Sequence, residues 1–196
     1  MNPGQPIRVG YGVRAFVAVL LAGTVASLMG CSTASAGPTR LAPAITLDQL
    51  DVTAFGPKPC DLLRADRASR RHLATPGTQV AGPNGLVCRW NPTAARVPVF
   101  TAGVDLGQGL EEIYRHYGEF SRFEPTDIAN YPAVHTEVQG AGANGRCATR
   151  VAVADNALLV VTADNNGLSP PSVLDPCSDA DTLATEIMGQ LLAGSP

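Results

Sequence analysis

Apolar stretches separated by turn signals predict a β-hairpin in the second half of the chain. Residues 146–154 and 157–163 are rich in valine and alanine, and the polar pair Asp155-Asn156 lies between them. Short apolar runs joined by two turn-forming residues are typical of paired antiparallel strands. We therefore expect a hairpin whose sheet core consists of Val151, Val153, Leu158, Val160 and Val161.

Three further stretches predict additional strands. Residues 86–90 follow the turn signal Asn84-Gly85, and residues 97–106 alternate between apolar and polar positions. The segment Tyr131-Pro132-Ala133-Val134 leads into another strand. Together with the hairpin, these strands predict a single sheet.

Apolar residues spaced three and four positions apart predict two amphipathic helices. The set within residues 109–118 is Leu110, Ile113, Tyr114 and Tyr117, and the set within about 177–192 is Leu183, Ala184, Ile187 and Leu191. Ser178 and Asp181 resemble a capping pair for the second of these helices. An earlier helical region begins at Pro59 and continues to Leu73. Helices that alternate with groups of strands predict an α+β fold, an antiparallel sheet with helices packed on one face.

The amino terminus has the pattern of a lipoprotein signal peptide. Residues 15–29 carry no charge, Arg8 and Arg14 precede them, and Leu28-Met29-Gly30-Cys31 closes the run. We predict cleavage after Gly30 and a diacylglyceryl lipid on Cys31. Ordinary cleavage that leaves a free cysteine is the alternative, and the run is shorter than the roughly 20 apolar residues of a membrane-spanning helix.

Length and charge then define the exported part. Residues 1–30 are the predicted signal peptide, residues 31–45 a flexible tether, and residues 46–196 a single α+β extracytoplasmic domain. Both basic residues of the signal peptide are arginines, so 14 − 2 = 12 basic side chains and all 17 acidic ones remain, a net charge of 12 − 17 = −5. A negative chain disfavours nucleic-acid binding through bulk charge. The predicted partner is the outer face of the cell membrane, through the lipid on Cys31.

Four cysteines remain once Cys31 is assigned to lipid. An even number in an exported chain predicts two disulfides, and four cysteines allow three pairings. We favour Cys60–Cys88 and Cys147–Cys177, because each pairing joins an apparent helix start to an apparent strand. A four-cysteine zinc site is the alternative, but the chain has no Cys-x-x-Cys spacing.

The sequence motifs predict no catalytic residue, no cofactor and no metal site. Residues 140–145 match the letters of a dinucleotide-binding fingerprint, but a strand follows where the phosphate would need a helix. His72, His116 and His135 lack the spacing of metal ligands. No serine lies in a Gly-x-Ser-x-Gly motif.

The aromatic residues are the candidates for a ligand or partner surface. Trp90 lies two residues after Cys88, and therefore either packs over the disulfide or is exposed for ligand stacking. Tyr114, Tyr117, Phe120 and Phe123 cluster in a short region, and most of them are expected in the core. The candidate surface comprises Trp90, Tyr114, Tyr117 and Tyr131.

The order of these motifs resembles a known family. The motifs are Leu28–Cys31, Pro59-Cys60-Asp61-Leu62-Leu63, Cys88-Arg89-Trp90, Ile128 with Tyr131-Pro132-Ala133-Val134, Cys147, and Asp175-Pro176-Cys177 before a helix rich in alanine and leucine. They resemble the actinobacterial lipoproteins of domain-of-unknown-function family 3558 over nearly the whole mature chain. The resemblance implies an anchored extracytoplasmic domain with no catalytic residues to transfer. Its shape is expected to be similar to the α/β sandwich of PsbP-like and Mog1-like proteins.

These observations lead to one main hypothesis and two alternatives. The main hypothesis is a non-catalytic module that uses a concave sheet face or the region of residues 110–135 to hold an apolar or cell-wall ligand, a lipid or an envelope protein. The first alternative is an envelope hydrolase, which a pocket with His116 or His135 in hydrogen-bond reach of a carboxylate would favour. The second is a purely structural envelope protein.

Overall fold

The computed structural model describes residues 39–138, 145–165 and 175–194. These residues form one seven-stranded antiparallel sheet with the strand order β1-β2-β3-β7-β6-β5-β4. The strands are β1 (Thr78–Gly82), β2 (Gly85–Trp90), β3 (Val99–Leu106), β4 (Phe120–Ile128), β5 (Tyr131–Val138), β6 (Arg146–Ala154) and β7 (Ala157–Asp164). The α-helices are α1 (Ala65–Arg70), α2 (Leu110–Arg115) and α3 (Pro176–Gly194), and the 3₁₀ turns are Thr53–Phe55, Pro59–Leu62 and Tyr117–Glu119. The predicted α+β class is confirmed.

The predicted hairpin is the centre of the sheet. β6 and β7 pair around Asp155-Asn156, with Val151 opposite Leu159 and Thr149 opposite Val161. Because side chains alternate between the faces of a strand, these four residues all lie on one face of the sheet. All four are fully buried, so this face forms the main core.

Helix α3 covers that face of the sheet. Its predicted apolar residues Leu183, Ala184, Ile187 and Leu191 are buried in the same cluster as Val151 and Val161. Helix α3 begins one residue before the predicted start and ends two residues after the predicted end. The spacing of apolar residues therefore identified both the helix and the side that it buries.

Helix α2 lies on the opposite face, which corrects the expectation that the helices share one face. Its Leu110 and Ile113 form a second, smaller cluster with Val134, Ala152 and Leu158. Ala152 and Leu158 are the immediate neighbours of Val151 and Leu159, and therefore face the other way. The amphipathic pattern predicted the apolar side of α2, but it contained no information about which sheet face that side would meet.

Both predicted disulfides are present. Cys60 bonds to Cys88, and Cys147 bonds to Cys177, with Cα–Cα distances of 4.8 and 5.0 Å. Cys60 belongs to the 3₁₀ turn Pro59–Leu62, and Cys177 is the second residue of α3. Each bond therefore attaches a helical segment to a strand of the sheet.

The two edge strands were not predicted from the sequence. Phe120 and Phe123 lie in β4 rather than in an extension of α2, which ends at Arg115. β4 contains Pro125 and alternates partly exposed polar residues, which an edge strand tolerates because one side of its backbone needs no partner. β1 is the opposite edge strand.

The start of α3 also differs from the prediction. The carboxylate of Asp175 accepts a hydrogen bond from the backbone N–H of Cys177 at 3.0 Å. Asp181, the predicted partner of Ser178, instead turns its side chain toward the sheet. A carboxylate near a helix start stabilises the free N–H groups there, and Asp175 has this role.

Part of the predicted tether is held against the domain. One carboxylate oxygen of Glu111 in α2 accepts the backbone N–H groups of Leu41 and Ala42, both at 3.0 Å. Ala42 is buried in the α2 cluster. These contacts join Leu41 and Ala42, which lie inside the predicted 31–45 tether, to α2.

Candidate functional site

The part of the sheet that faces away from α3 contains a cavity of about 390 Å³. We call this part of the sheet surface, which carries the cavity, the concave face. Its floor is a row of small and hydroxyl side chains that crosses four adjacent strands: Thr101, Thr162, Ala148 and Thr136. Helix α2 covers the neighbouring part of the same sheet face, around Leu158. Among the described residues, no helix lies over the row itself.

Two glycines let the β1–β2 hairpin form the apolar wall of the cavity. A Cβ on Gly82 or on Gly103 would lie 2.8 Å from Cγ1 of Val87. On Gly103 it would also lie 3.0 Å from the backbone oxygen of Leu86. Any larger residue at these positions would push the Val87 side chain away, so the glycines permit close packing of the hairpin. Val80, Ala81 and Pro83 complete this wall.

The opposite side of the cavity is polar and has Arg150 at its centre. The Nε atom of Arg150 donates a hydrogen bond to Oγ1 of Thr136 at 3.0 Å, and the guanidinium lies 6.0 Å from the ring centre of Phe120. Burial lowers the pKa of Arg150, while the negative charge of Asp105 raises it. Within the described ranges, no carboxylate lies within 4.0 Å of this guanidinium.

The other charges of the cavity are arranged differently. Asp105 is only 5 % exposed and accepts a hydrogen bond from the side-chain amide of Asn84. Arg89 donates to the side chain of Asn91 at 3.3 Å, and Arg146 lies 3.9 Å from Asp164. Of the three arginines that line the cavity, Arg150 is thus the one that is partly buried and that, among the described residues, has no carboxylate within 4.0 Å.

A second polar cluster lies on the α3 side of the sheet. Nε2 of His135 is 2.8 and 2.9 Å from the two carboxylate oxygens of Asp181, and the Thr149 hydroxyl donates to Asp181 at 2.7 Å. Glu124 lies 3.8 Å from Nδ1 of His135. The hydrogen bond to Asp181 raises the pKa of His135, although partial burial opposes the shift.

This cluster brings a histidine and a carboxylate together, as the hydrolase alternative requires. Its geometry, however, is that of a structural contact between α3 and the sheet. The hydroxyl of Thr149 donates to the carboxylate and not to the imidazole, so it is not positioned to lose a proton to His135. The His135 side chain is 13 % exposed, and the cluster does not line the cavity. The cluster of His135, Asp181 and Thr149 therefore links α3 to β5 and β6 through hydrogen bonds.

The other two histidines, His116 and His72, have different neighbours. His116, the residue after α2, contacts Glu112 of that helix through its backbone oxygen at 2.9 Å and its carboxylate at 3.4 Å. His72 has a positive φ of 56° and lies in the turn after α1. Over the part of the chain that the structure describes, no three His, Cys, Asp or Glu side chains are grouped as a metal site would need.

The predicted aromatic surface does not exist as one surface. Trp90 and Tyr131 are each 1 % exposed, so neither can present a ring to a ligand. Trp90 packs beside its disulfide, since a Cβ on Gly77 would be 2.4 Å from Sγ of Cys88 and 2.5 Å from Nε1 of Trp90. The Tyr131 hydroxyl donates to the backbone oxygen of Asp48 at 2.7 Å.

The other two predicted surface residues belong to an aromatic cluster at the edge of the sheet. The rings of Tyr114 and Tyr117 lie 5.0 and 6.1 Å from the ring of Phe123, and Phe120 lies 6.3 Å from it. Tyr117 is 65 % exposed, whereas Tyr114 is half-buried. Through Phe120 the cluster touches Arg150, and so it borders the concave face.

Sequence reasoning missed Arg150 and the threonine row. Arg150 stands directly before the apolar residues Val151, Ala152 and Val153 of β6. An arginine in the middle of a largely apolar strand indicates a face that helices do not cover, and this signal was available in the sequence. The glycine-rich segment 140–144 and the predicted lipid site Cys31 lie outside the described residues.

Comparisons with known proteins give one match. A family model described as "Protein of unknown function (DUF3558)" matches residues 24–190. No curated protein and no solved structure matches the chain. Within the described residues, none of the helices is both long enough and apolar enough to cross a membrane.

Proposed function

The chain belongs to the DUF3558 family, and we propose that it is a non-catalytic ligand-binding module of the cell envelope. The proposed binding site is the concave face of the sheet, and the proposed anchor is a diacylglyceryl group on Cys31. The observation that carries the proposal is the cavity of about 390 Å³, in whose wall Arg150 bonds to Thr136 but, among the described residues, pairs with no carboxylate.

The cavity has the size and chemistry of a small-molecule site. Ligand pockets occupy roughly 300–1,000 Å³ and combine an apolar lining with a few placed polar groups. Here valines and alanines of β1, β2 and β7 supply the apolar lining, and Arg150 with the threonine row supplies the polar groups. A guanidinium that has lost part of its hydration without gaining an anion carries a desolvation cost. A ligand that bonds to Arg150 would offset that cost.

The proposed anchor rests on the sequence and on the disulfides. Leu28–Cys31 supplies the cleavage motif, and two disulfides suit an oxidising compartment outside the cytoplasm. Lipid on the first mature residue would supply more than one acyl chain, which stable anchoring needs. The test is membrane fractionation: the native chain should enter the membrane pellet, and a Cys31→Ala chain should not. Equal distribution of both chains would refute the anchor.

Ligand binding is tested on protein from the cell that makes it. The chain is extracted from its membrane, washed and denatured, and the released small molecules are identified by mass spectrometry. Thr162→Trp fills the floor of the cavity, and Leu192→Trp adds the same side chain at an exposed position of α3. We expect a compound released from the native chain and from L192W but absent from T162W. No compound, or the same compound from T162W, would refute the proposal.

The hydrolase alternative has one observation in its favour, the contact between His135 and Asp181. If this pair were catalytic, Asp181→Asn would lower the rate of hydrolysis while the fold remained intact. We expect the native chain to hydrolyse p-nitrophenyl acetate no faster than buffer does. Hydrolysis above that background, lost in D181N, would favour the enzyme over the binding module.

A further inference from the structure

We infer that the ligand of the concave face is an amphipathic anion: a carboxylate or phosphate group held by Arg150, on an apolar chain that lies under the β1–β2 hairpin. This inference rests on the proposed function, because it assigns a chemical class to the ligand of the same cavity. Three features of the site support it: the free donors of Arg150, the position of the acidic residues, and the distribution of apolar residues across the sheet.

Arg150 has donors available for an anion. A guanidinium carries five N–H donors, and the described residues use only Nε, which bonds to Thr136. The two terminal nitrogens therefore keep their four N–H groups for a ligand. Those donors form a planar fork that matches two oxygens of a carboxylate or phosphate. Phe120 and Thr136 hold the guanidinium in place, which lowers the entropy cost of binding.

Among the described residues, no acidic side chain of the cavity forms an ion pair with Arg150, although the negative charge of Asp105 raises its pKa. Asp105 lies opposite Leu158, and Leu158 lies opposite Ala152, which is two residues from Arg150 in β6. The strands β3 and β6, which carry Asp105 and Arg150, lie two strand spacings apart in the sheet, about 10 Å between their backbones. Glu137 of β5 lines the cavity as well; among the described residues it forms no ion pair with Arg150, and its Oε1 is buried without a hydrogen-bond partner. The positions of Asp105 near the hairpin and of Glu137 on β5 disfavour an anion beside them, so the anionic group belongs at Arg150 on β6.

The β1–β2 hairpin supplies most of the apolar residues that line the cavity. The residues contributed by β1 and β2 include Val80, Ala81 and Val87. From β2 to β6 the sheet order gives three strand spacings, about 14 Å. This distance calls for an extended apolar chain and not for a small inorganic anion. Because no aromatic residue lines the cavity within the described ranges, a stacked sugar or nucleobase is a poorer fit.

The test uses the chain from residue 32 onward, without lipid. It retains both disulfides and all the described residues, and residues 38–196 form a compact unit. Calorimetric titration compares decanoate and decyl phosphate with three probes: decanol, which lacks charge, decylamine, which reverses it, and acetate, which lacks the chain. We expect both anions to bind about tenfold or more tightly than decanol, since a charged hydrogen bond contributes that much. Decylamine should bind more weakly still, and acetate should not bind measurably.

Variants locate the charge. Arg150→Gln should abolish the preference for decanoate over decanol, and Arg150→Lys should keep part of it. Arg70→Gln is the matched control, because it removes one exposed arginine on α1, outside the cavity. It should change decanoate affinity by less than about threefold, as an exposed charge contributes little. The comparison of probes on the native chain needs no variant, so it stands even if R150Q fails to fold.

The outcomes separate this inference from the proposed function. If decanol binds as tightly as decanoate, the anion is refuted while the cavity remains a ligand site. If none of the probes binds, the amphipathic class is refuted, and the extraction experiment with T162W then decides the proposed function independently. A final arm adds vesicles of phosphatidylglycerol. Release of bound decanoate by the vesicles supports a membrane lipid as the source of the anion, and unchanged binding supports a free acid.

Discussion

One methyl group placed at Gly77 should destabilise the domain strongly. A Cβ there would lie 2.4 Å from Sγ of Cys88, 2.5 Å from Nε1 of Trp90 and 2.9 Å from its Cδ1. Real Cβ contacts are almost never under 3.0 Å. The sulfur is held by its bond to Cys60, and the indole is 1 % exposed, so neither atom can move away without disturbing the core. Overpacking of a core costs about 1–3 kcal/mol, and we expect Gly77→Ala to reach the upper end, about 3 kcal/mol.

A matched control separates this overlap from the general effect of alanine. Gly189 lies on the exposed side of α3, and a Cβ there meets nothing within 4 Å. Gly189→Ala adds the same methyl group, and alanine is preferred to glycine inside a helix by roughly 0.5–1 kcal/mol. The same chemical change should therefore lower stability at Gly77 and raise it at Gly189.

Guanidinium denaturation of the oxidised chain, followed by far-ultraviolet circular dichroism, measures both free energies of unfolding. We expect G77A to shift the midpoint down and G189A to shift it up, with similar slopes. A G77A chain as stable as the native one would show that Trp90 does not pack beside the Cys60–Cys88 disulfide.

Three more predictions follow from the described contacts. The double variant Cys147→Ser with Cys177→Ser should lose about 3–4 kcal/mol of unfolding free energy, because the bond closes a loop with a sequence separation of 30. Denaturation with and without reductant measures this loss, and a loss under about 1 kcal/mol would contradict the prediction. Glu111→Ala should speed hydrogen exchange at the amide of Leu41. That protection should also fall in the native chain as the pH drops through the lowered pKa of Glu111, below 4.5, and unchanged exchange would show that the segment is held by other contacts. Because the pKa of His135 is raised, its contribution to the free energy of unfolding is complete below pH 6.5 and is lost as the pH rises through the folded-state pKa. His135→Gln should flatten this pH dependence of the unfolding free energy, and an unchanged pH profile would rule out the imidazole as its source.

The parts of the fold with strong sequence periodicity were predictable. Helix α3 and the hairpin of β6 and β7 bury one continuous set of apolar residues, so their spacing alone defined them. The disulfides followed from an even cysteine count and the local context of each cysteine. β4 was missed because Pro125 and its exposed polar neighbours lack the pattern of a buried strand.

The site was harder to predict because its properties arise from distant segments. Arg150 bonds to Thr136 on β5 and lies beside Phe120 on β4. These residues are 14 and 30 positions away from it in the sequence (150 − 136 and 150 − 120). The sequence left the role of Trp90 open, and its burial depends on Gly77, which no local pattern connects to it. Tyr131 is among the residues predicted for the surface, yet its ring is buried and its hydroxyl donates to the backbone oxygen of Asp48.

Nuclear Overhauser contacts between decanoate and the methyl-labelled chain test the central claim, that the concave face is the binding site, most directly. We predict contacts from the ligand chain to the methyl groups of Val87 and Val160, which lie on the apolar side of the cavity. Contacts confined to the exposed side chains of Leu41, Leu47 and Leu106 would contradict the claim, because they would place the ligand on the outer surface.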